Sequence, residues 1–394
     1  MLLSVTLCTS LIVLPAVAAS PDDPKDGGSA GAALTWDELD ERILAGSLNI
    51  QVLNESIGTI EAIDYEQMEE QLRTQLNQLA DGQWFMLQMG DSDSASSLEA
   101  AYSALRDTFD ALRDGDLQAD NADAVRQIQD GIYQVLAAGE TLYISLVGME
   151  ASLADGMRGL AALDRSLEEL RLRQELGQVS IQQVEALERT RADTSSQLRT
   201  LENTISTYKS QLQVLIGEEP DGTLTLSPLP DAEDVTWETP DFDADLACAK
   251  EASWNLYSAA LTLEDAEDDW KDARTSYFGS YYRYQYDMAE HTWNAAQATY
   301  AAAVQSFETS FRALYDSLSD YEQIWENKTA ALAYQQTQLD TAQVRYERGM
   351  ISRSALLTAQ DDLTAAQSEA DSAWRDLFAA RNSYRCAVEH GIVS

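Results

Sequence analysis

Few side chains in this sequence have the types and the spacing that catalysis or metal binding requires. The 394 residues include three cysteines and only two histidines, His291 and His390, which are far apart in the chain. No histidines and cysteines are grouped with the short spacing of metal ligands, and no phosphate-binding P-loop occurs. Carboxylates are spread along the whole chain, which is typical of solvated helix faces and singles out no acid–base pair. We therefore predict a protein that is not an enzyme and needs neither a cofactor nor a metal.

The charge of the chain restricts its partners. The formal net charge is −41 at pH 7, and the sequence isoelectric point is about 4.1. A polyanion of this kind repels nucleic acids and anionic lipid headgroups, so we expect neither as a partner. The scarcity of proline and the abundance of alanine, leucine and acidic residues favour long solvated helices over a sheet protein.

The first residues predict export. An apolar run from Leu2 to Pro15 leads into Ala16-Val17-Ala18, which is typical of a signal peptide over residues 1–20. The alternative is a short buried helix. Residues 21–34 have the composition of a flexible leader. The most apolar later stretch, 133–153, carries Glu140 and Glu150, so we expect no transmembrane helix and leave membrane contact open.

Proline marks the boundaries of two helical blocks. All seven prolines lie outside two long stretches; they are Pro15, Pro21, Pro24, Pro220, Pro228, Pro230 and Pro240. Because proline breaks helix interiors, this distribution predicts helical blocks over residues 35–217 and 241–394. The acidic, proline-containing linker between them, residues 218–240, is expected to be a solvated connector.

The two blocks are predicted to be tandem repeats. Apolar or small residues recur in steps of three and four from Val184 to Leu215 and again from Leu356 to Ala387, which is a heptad pattern. Every position of the first run has its counterpart 172 residues later, as do Gly177 and Ser180. Chance alignment of two coiled coils is the alternative, but the shared Gly-x-x-Ser before each run favours duplication.

Each repeat is expected to form a long antiparallel helical hairpin. Helical patterns precede Gly177 and Gly349 and resume after Ser180 and Ser352. A glycine that ends one helix and a serine that caps the next describe a tight turn between two helices. The sequence therefore predicts an all-α fold of two tandem repeats, each a long coiled-coil hairpin with Gly-x-x-Ser at its tip.

These motifs resemble the TolC-like outer membrane efflux protein family. The first copy reads Leu176-Gly177-Gln178-Val179-Ser180 and its second helix ends at Leu215-Ile216-Gly217; the second copy reads Arg348-Gly349-Met350-Ile351-Ser352 and ends at Gly391; the opening reads Leu34-Thr35-Trp36-Asp37-Glu38-Leu39. The resemblance implies an α-barrel protomer that assembles as a homotrimer. It also implies that the hairpin tips dock on a periplasmic adaptor, or membrane fusion protein. These adaptor-docking tips would be Gly177, Gln178, Val179, Ser180, Gly349, Met350, Ile351 and Ser352.

The chain departs from the family pattern in three places. The acidic residue expected after each tip serine is replaced by Gln183 and Ala355. Family members place a β-hairpin after the first helix of each repeat, but residues 276–287 are too few for two membrane-spanning strands. The first repeat instead has an insertion near 81–148 with an amphipathic pattern; it is carried by Leu98, Tyr102, Leu105, Phe109 and Leu112. We therefore expect a variant that lacks a full transmembrane β-barrel.

Two further features follow from the family topology. An aromatic crown is expected at the end opposite the tips; its members are Tyr277, Phe278, Tyr281, Tyr282, Tyr284, Tyr286, Trp84 and Phe85. Such a cluster is consistent with packing between helix ends, with contact at a membrane interface, or with binding of cell-wall glycan. The family arrangement also places Cys248 and Cys386 near the middle of the barrel, where they would form a disulfide.

The resemblance implies an exported component of an efflux or secretion assembly that acts as a passive trimeric conduit. It would lie in the cell envelope, whether periplasmic, outer-membrane-associated or at the cell surface. The alternative is a non-conducting coiled-coil protein with a structural or interaction role in the envelope.

Overall fold

The computed structural model describes residues 33–393, apart from residues 234, 238 and 280. In chain order, the helices of this part are α1 (Trp36–Gly46), α2 (Leu48–Glu61), α3 (Tyr65–Met89), α4 (Ser92–Asp114), α5 (Asp116–Glu175), α6 (Ile181–Leu215), α7 (Phe242–Ala252), α8 (Trp254–Tyr277), α9 (Arg283–Glu347) and α10 (Arg353–His390). The only β-type pairing in the described chain is an isolated bridge between Leu34 and Leu226. The predicted all-α fold is confirmed; the predicted signal peptide lies outside the described residues.

Each repeat consists of one long helix beside a column of shorter helices placed end to end. In the first repeat, α5 packs against α1 and α2 and, farther along, against α6. In the second repeat, α9 packs in the same way against α7, α8 and α10. The short helices meet at close backbone contacts, Gly46 against Ile216 in the first repeat and Ser253 against Gly391 in the second. The tandem arrangement predicted from the sequence is therefore built from two matching helix pairs.

The two repeats join through α5 and α10, which fixes the order of the helix columns. The sequence of neighbours is the α2/α6 column, then α5, then the α8/α10 column, then α9. The α2/α6 column and α9 consequently have neighbours on one side only. These are the two free edges of the chain.

The linker is packed against the helices and is not a solvated connector. Leu224 and Leu229 are buried in the main core, and the Trp374 indole donates a hydrogen bond to the Pro230 carbonyl at 3.0 Å. The Tyr143 hydroxyl, fully buried, lies 2.9 Å from the Leu34 carbonyl and also contacts the linker. The prediction of a solvated connector was wrong because this acidic segment also contains leucines. Burying these leucines against the apolar surface of the helices is favourable.

The insertion of the first repeat is a separate helical hairpin. α3 and α4 pack on each other; α4 contacts α5 next to the turn at Gly115, and α3 contacts it at its first residue, where the Tyr65 hydroxyl accepts from the Asn121 amide. The pattern from Leu98 to Leu112 forms one face of α4, as expected, while residues 116–148 belong to the long helix α5. α5 also contains the one described stretch that is long and apolar enough to cross a membrane by length and composition, with a third of its 18-residue window buried.

Candidate docking site

Both hairpin tips have the same backbone structure. Gly177 and Gly349 have φ values of +72° and +70°, in the left-handed region that glycine adopts without strain. The amide of each glycine donates to the carbonyl three residues earlier, and the next amide donates to the carbonyl five residues before it. This pair of bonds is the Schellman motif, which satisfies carbonyls at a helix end. The glycine turn predicted from the sequence is present in both repeats.

The serines start the second helix of each hairpin, with different partners. The Ser352 hydroxyl accepts a hydrogen bond from the Ala355 amide at 3.2 Å. In the first repeat, the Gln183 side chain accepts from the Ser180 amide at 3.0 Å, one half of a capping box. Gln183, which replaces an expected acid, therefore has a local role in starting α6.

The two tips end at the same level. The Arg165 guanidinium pairs with the Asp361 carboxylate at 3.1 Å, which joins α5 to α10. Arg165 lies twelve residues before Gly177, and Asp361 lies twelve residues after Gly349. At 1.5 Å per residue, each hairpin projects about 18 Å beyond this ion pair. The tips can therefore meet one partner surface together.

The tips expose apolar side chains. Leu172 and Val344, which are 172 residues apart and so occupy equivalent positions, are both exposed. Met350 at the second turn is 69% exposed, while Val179 and Ile351 are half-buried inside their turns. A β-carbon at Gly177 or Gly349 would meet no atom within 4 Å, so these turns are open to a partner. No other part of the described chain covers these apolar side chains.

The tips also lack the negative charge of the rest of the chain. Residues 165–191 contain five arginines and five acids, and residues 341–360 contain three arginines and one acid. These three arginines, Arg345, Arg348 and Arg353, form no ion pair within the part of the chain that the structure describes. On a chain with a net charge of −41, the tips are therefore neutral to basic.

A buried polar cluster joins the two repeats near the middle of the molecule. Glu140 on α5 is only 3% exposed and accepts hydrogen bonds from Asn382 at 2.8 Å and Arg385 at 2.5 Å, both on α10. The Cys386 thiol lies 3.4 Å from the same carboxylate. Burial of a carboxylate is tolerated when such partners satisfy it. No sequence pattern pairs Glu140 with these residues of α10, although an acid inside the apolar stretch 133–153 is a signal of a buried polar site.

Asp40 on α1 faces the same cluster. Burial and the nearby charge of Glu140 raise the pKa of Asp40 to about 6, while Arg385 opposes the shift. Protonated Asp40 can donate a hydrogen bond to the Glu140 carboxylate. Asp40 is thus protonated below that pKa, and above it the Asp40 carboxylate meets the negative charge of Glu140.

The expected disulfide is not formed, since both thiols are free. The Tyr384 hydroxyl donates to Asp245 at 2.7 Å, so this face of α10 is directed toward α7. Cys386 lies two residues later, about 200° around the helix, and is directed toward Glu140 on α5. Cys248 on α7 is exposed. The topology brought the helices together, but the rotation of α10 separates the thiols.

The residues predicted to form one aromatic crown lie in two separate patches. In the second repeat, the Phe278 and Tyr286 rings meet at 5.3 Å, and Tyr281, Tyr282 and Tyr284 form a chain of edge contacts. Tyr277 ends α8 beside them. Trp84 and Phe85 lie near the end of α3 and make no ring contact with these tyrosines among the described residues. The structure therefore separates residues that the sequence analysis grouped.

Comparison with known proteins identifies the fold. No protein-family model and no curated protein matches the sequence. Among solved structures, the outer membrane protein VceC of Vibrio cholerae is 13% identical, with a TM-score of 0.53 over 90% of this chain and 96% of VceC. A membrane protein from Pseudomonas aeruginosa is 13% identical, with a TM-score of 0.57 over 94% and 99% of the two chains. The open state of the MtrE outer membrane channel of Neisseria gonorrhoeae is 15% identical, with a TM-score of 0.51 over 73% and 72%.

The fold is that of the TolC-like outer membrane channels, as the motifs predicted. At these identities, the likeness concerns the course of the helices and not the side chains at any site.

Proposed function

We propose that this chain is an exported component of an efflux or secretion assembly in the cell envelope. It acts as a passive homotrimeric conduit whose tips dock on a periplasmic adaptor protein. The observation that carries the proposal is the position of the exposed apolar side chains on a fold shared with outer membrane channels.

Exposed apolar side chains favour association along the two free edges. On the α2/α6 column, Leu48 is 71% exposed and Val52 and Val214 are also exposed. On α9, Tyr334 is 60% exposed, and Ile324 is exposed as well. Of the interior helices, α8 and α10 expose no large apolar side chain among their described residues, whereas α5 exposes Tyr133, Met157 and, at the tip, Leu172. Exposed apolar surface of this kind marks an interface, and its presence on both edges favours neighbours on both sides.

Two different edges predict a ring. An interface between unlike surfaces repeats from copy to copy until the rotation closes. Three copies with four helix columns each would give a ring of twelve columns around a central space. A solute could pass through such a space without a conformational change or a chemical step.

The tips provide the surface for the adaptor. They project to a common level and expose Leu172, Val344 and Met350, and the second tip carries three arginines that form no ion pair among the described residues. An adaptor surface with apolar and acidic side chains would complement them. The tip residues proposed for contact are 177–180 and 349–352.

Site-specific photo-cross-linking in the native host tests the docking. A photoreactive amino acid at Gln178 or Met350 is expected to form an adduct with a membrane fusion protein, identified by mass spectrometry. The matched control is the same group at Gln75, an exposed residue of α3 far from the tips. If neither tip position cross-links to such a protein while the chain is present as a trimer, adaptor docking is refuted.

A non-conducting envelope spacer is the second candidate. It is favoured by the end opposite the tips, where the described residues form a helical hairpin and a short turn. Images of the assembled protein with a filled centre would select it, and an open centre would select the conduit.

A further inference from the structure

Two exposed apolar patches lie at the end of the chain opposite the tips. The α3 patch consists of Trp84, Phe85, Leu87 and Met89, in the last turns of α3. The α8–α9 patch consists of Phe278, Tyr281, Tyr284 and Met288, around the turn between those helices. Exposed fractions reach 71% at Met89 and 94% at Tyr281. Surfaces of this composition and exposure mark sites of association.

The patches lie at matching distances from a common level on α5. The Asn121 amide donates to the Tyr65 hydroxyl at 2.8 Å, and the Tyr257 hydroxyl donates to Asp123 at 2.7 Å. α3 and α8 therefore both pass the same turn of α5. The α3 patch begins 19 residues beyond Tyr65 and the α8–α9 patch 21 residues beyond Tyr257. Measured along the helices, these separations are about 29 and 32 Å.

The patches belong to opposite free edges. α2 packs against α5, and α3, which follows α2 in the chain, packs on α4, so α3 is outermost beside the first repeat. α9 is outermost beside the second repeat. A ring that closes head to tail brings α9 of one copy next to α3 of the following copy. Each patch then faces the other kind of patch, at a similar height.

The charges around the α3 patch disfavour a lipid bilayer as its partner. Asp81 and Asp91 flank the patch, and Asp93 follows at the apex of the hairpin. Hydrogen bonds from the Ser94 side chain and amide hold the pKa of Asp91 below its usual range, so this carboxylate stays ionised. Immersing the apex in hydrocarbon would bury these charges at high cost. A protein surface that contacts the side of α3 leaves them in water.

We infer that the α3 patch of one copy docks on the α8–α9 patch of the next copy. This interface, called the joint below, closes the ring at the end opposite the tips by apolar and aromatic contacts between copies. The inference rests on the homotrimer proposed above and names the interface at this end. It explains why a chain with a net charge of −41 leaves nine large apolar side chains, Tyr282 included, exposed at one end.

Disulfide cross-linking between copies tests the joint. Trp84→Cys and Tyr281→Cys are combined in a Cys248→Ser background, where Cys386 remains buried. Mild oxidation is expected to give a ladder up to covalent trimer on non-reducing gels. The control pair is Ser96→Cys with Tyr281→Cys, since Ser96 is exposed on α4 at the same end. Separately, Trp84→Ser with Leu87→Ser is expected to weaken trimer assembly by about tenfold or more, because aromatic anchors dominate interfaces.

The outcomes separate the joint from the homotrimer on which it rests. A ladder from the Trp84–Tyr281 pair alone supports the joint. A trimer by light scattering without that ladder, or with equal cross-linking in the control pair, overturns the joint and leaves the conduit proposal intact. A monomer at every concentration overturns both. Flotation of the wild-type protein with phosphatidylcholine vesicles, abolished by Trp84→Ser with Leu87→Ser, would make the patch a membrane contact and also overturn the joint.

Discussion

The junction between the short helices of the first repeat leaves no room for a side chain at Gly46. A β-carbon there would lie 1.9 Å from the Ile216 carbonyl oxygen and 2.5 Å from the carbonyl carbon. Ordinary contact begins at 3.4 Å, so the two backbones would have to separate by 3.4 − 1.9 = 1.5 Å. Both atoms belong to the backbone, and no side-chain rotation can relieve the clash. We therefore expect Gly46→Ala to destabilise the fold by about 3 kcal/mol, the upper end of overpacking effects.

Gly58 provides the matched control in the next helix. It lies inside α2, and a β-carbon there would meet nothing within 4 Å. Gly58→Ala is expected to stabilise the protein by about 0.5–1 kcal/mol, because alanine has the higher helix propensity. Urea unfolding followed by far-ultraviolet circular dichroism measures both variants. Equal midpoints for Gly46→Ala and Gly58→Ala would refute the close contact between the helix ends.

Three other predictions concern the buried cluster, a tip and the thiols. Asp40→Asn should stabilise the protein by about 1–2 kcal/mol at pH 8 and by much less at pH 4, measured by urea midpoints. The folded pKa of Asp40 near 6 exceeds the ordinary value near 4, so the cost of ionising Asp40 develops as the pH rises between these two values and is complete above the folded pKa; the figure is discounted for partial exposure. A midpoint difference that is independent of pH would contradict the raised pKa of Asp40. Ser352→Ala should lower the free energy of unfolding by about 1 kcal/mol because the helix cap is lost, and proteolysis near the second tip should become faster. Ser352→Thr keeps the hydroxyl and should leave the proteolysis rate unchanged. Cys248 should react with maleimide quickly in the folded protein, whereas Cys386 should react only after unfolding, because burial raises the pKa of the Cys386 thiol to about 12. Equal reaction rates of the two thiols would refute the burial of Cys386 beside Glu140.

The helical repeat and its turns could be predicted from sequence because short-range physics determines them. Glycine at Gly177 and Gly349 and serine at Ser180 and Ser352 encode helix ends that need no tertiary contact. The start of α5 was harder to place. α3, α4 and α5 have similar helical patterns, and only the glycines at Gly90 and Gly115 divide them.

The features that were missed depend on rotation about helix axes. Whether Cys386 faces α7 or α5 is decided by a turn of about 200°, which a heptad pattern does not specify. Glu140 was seen as an interruption of an apolar stretch, but its partners Asn382 and Arg385 lie more than 240 residues away in the sequence. The packing of the linker was missed for a similar reason, since Leu224 and Leu229 are buried by helices distant in the chain.

The molar mass of the purified protein from residue 21 onward, measured by light scattering over a range of concentrations, decides whether the chain closes into a ring. A homotrimeric conduit predicts a stable trimer, with class averages from electron microscopy that show a ring with an open centre. A monomer or dimer at all concentrations would contradict it, because the two apolar edges of the chain would then not close into a conduit.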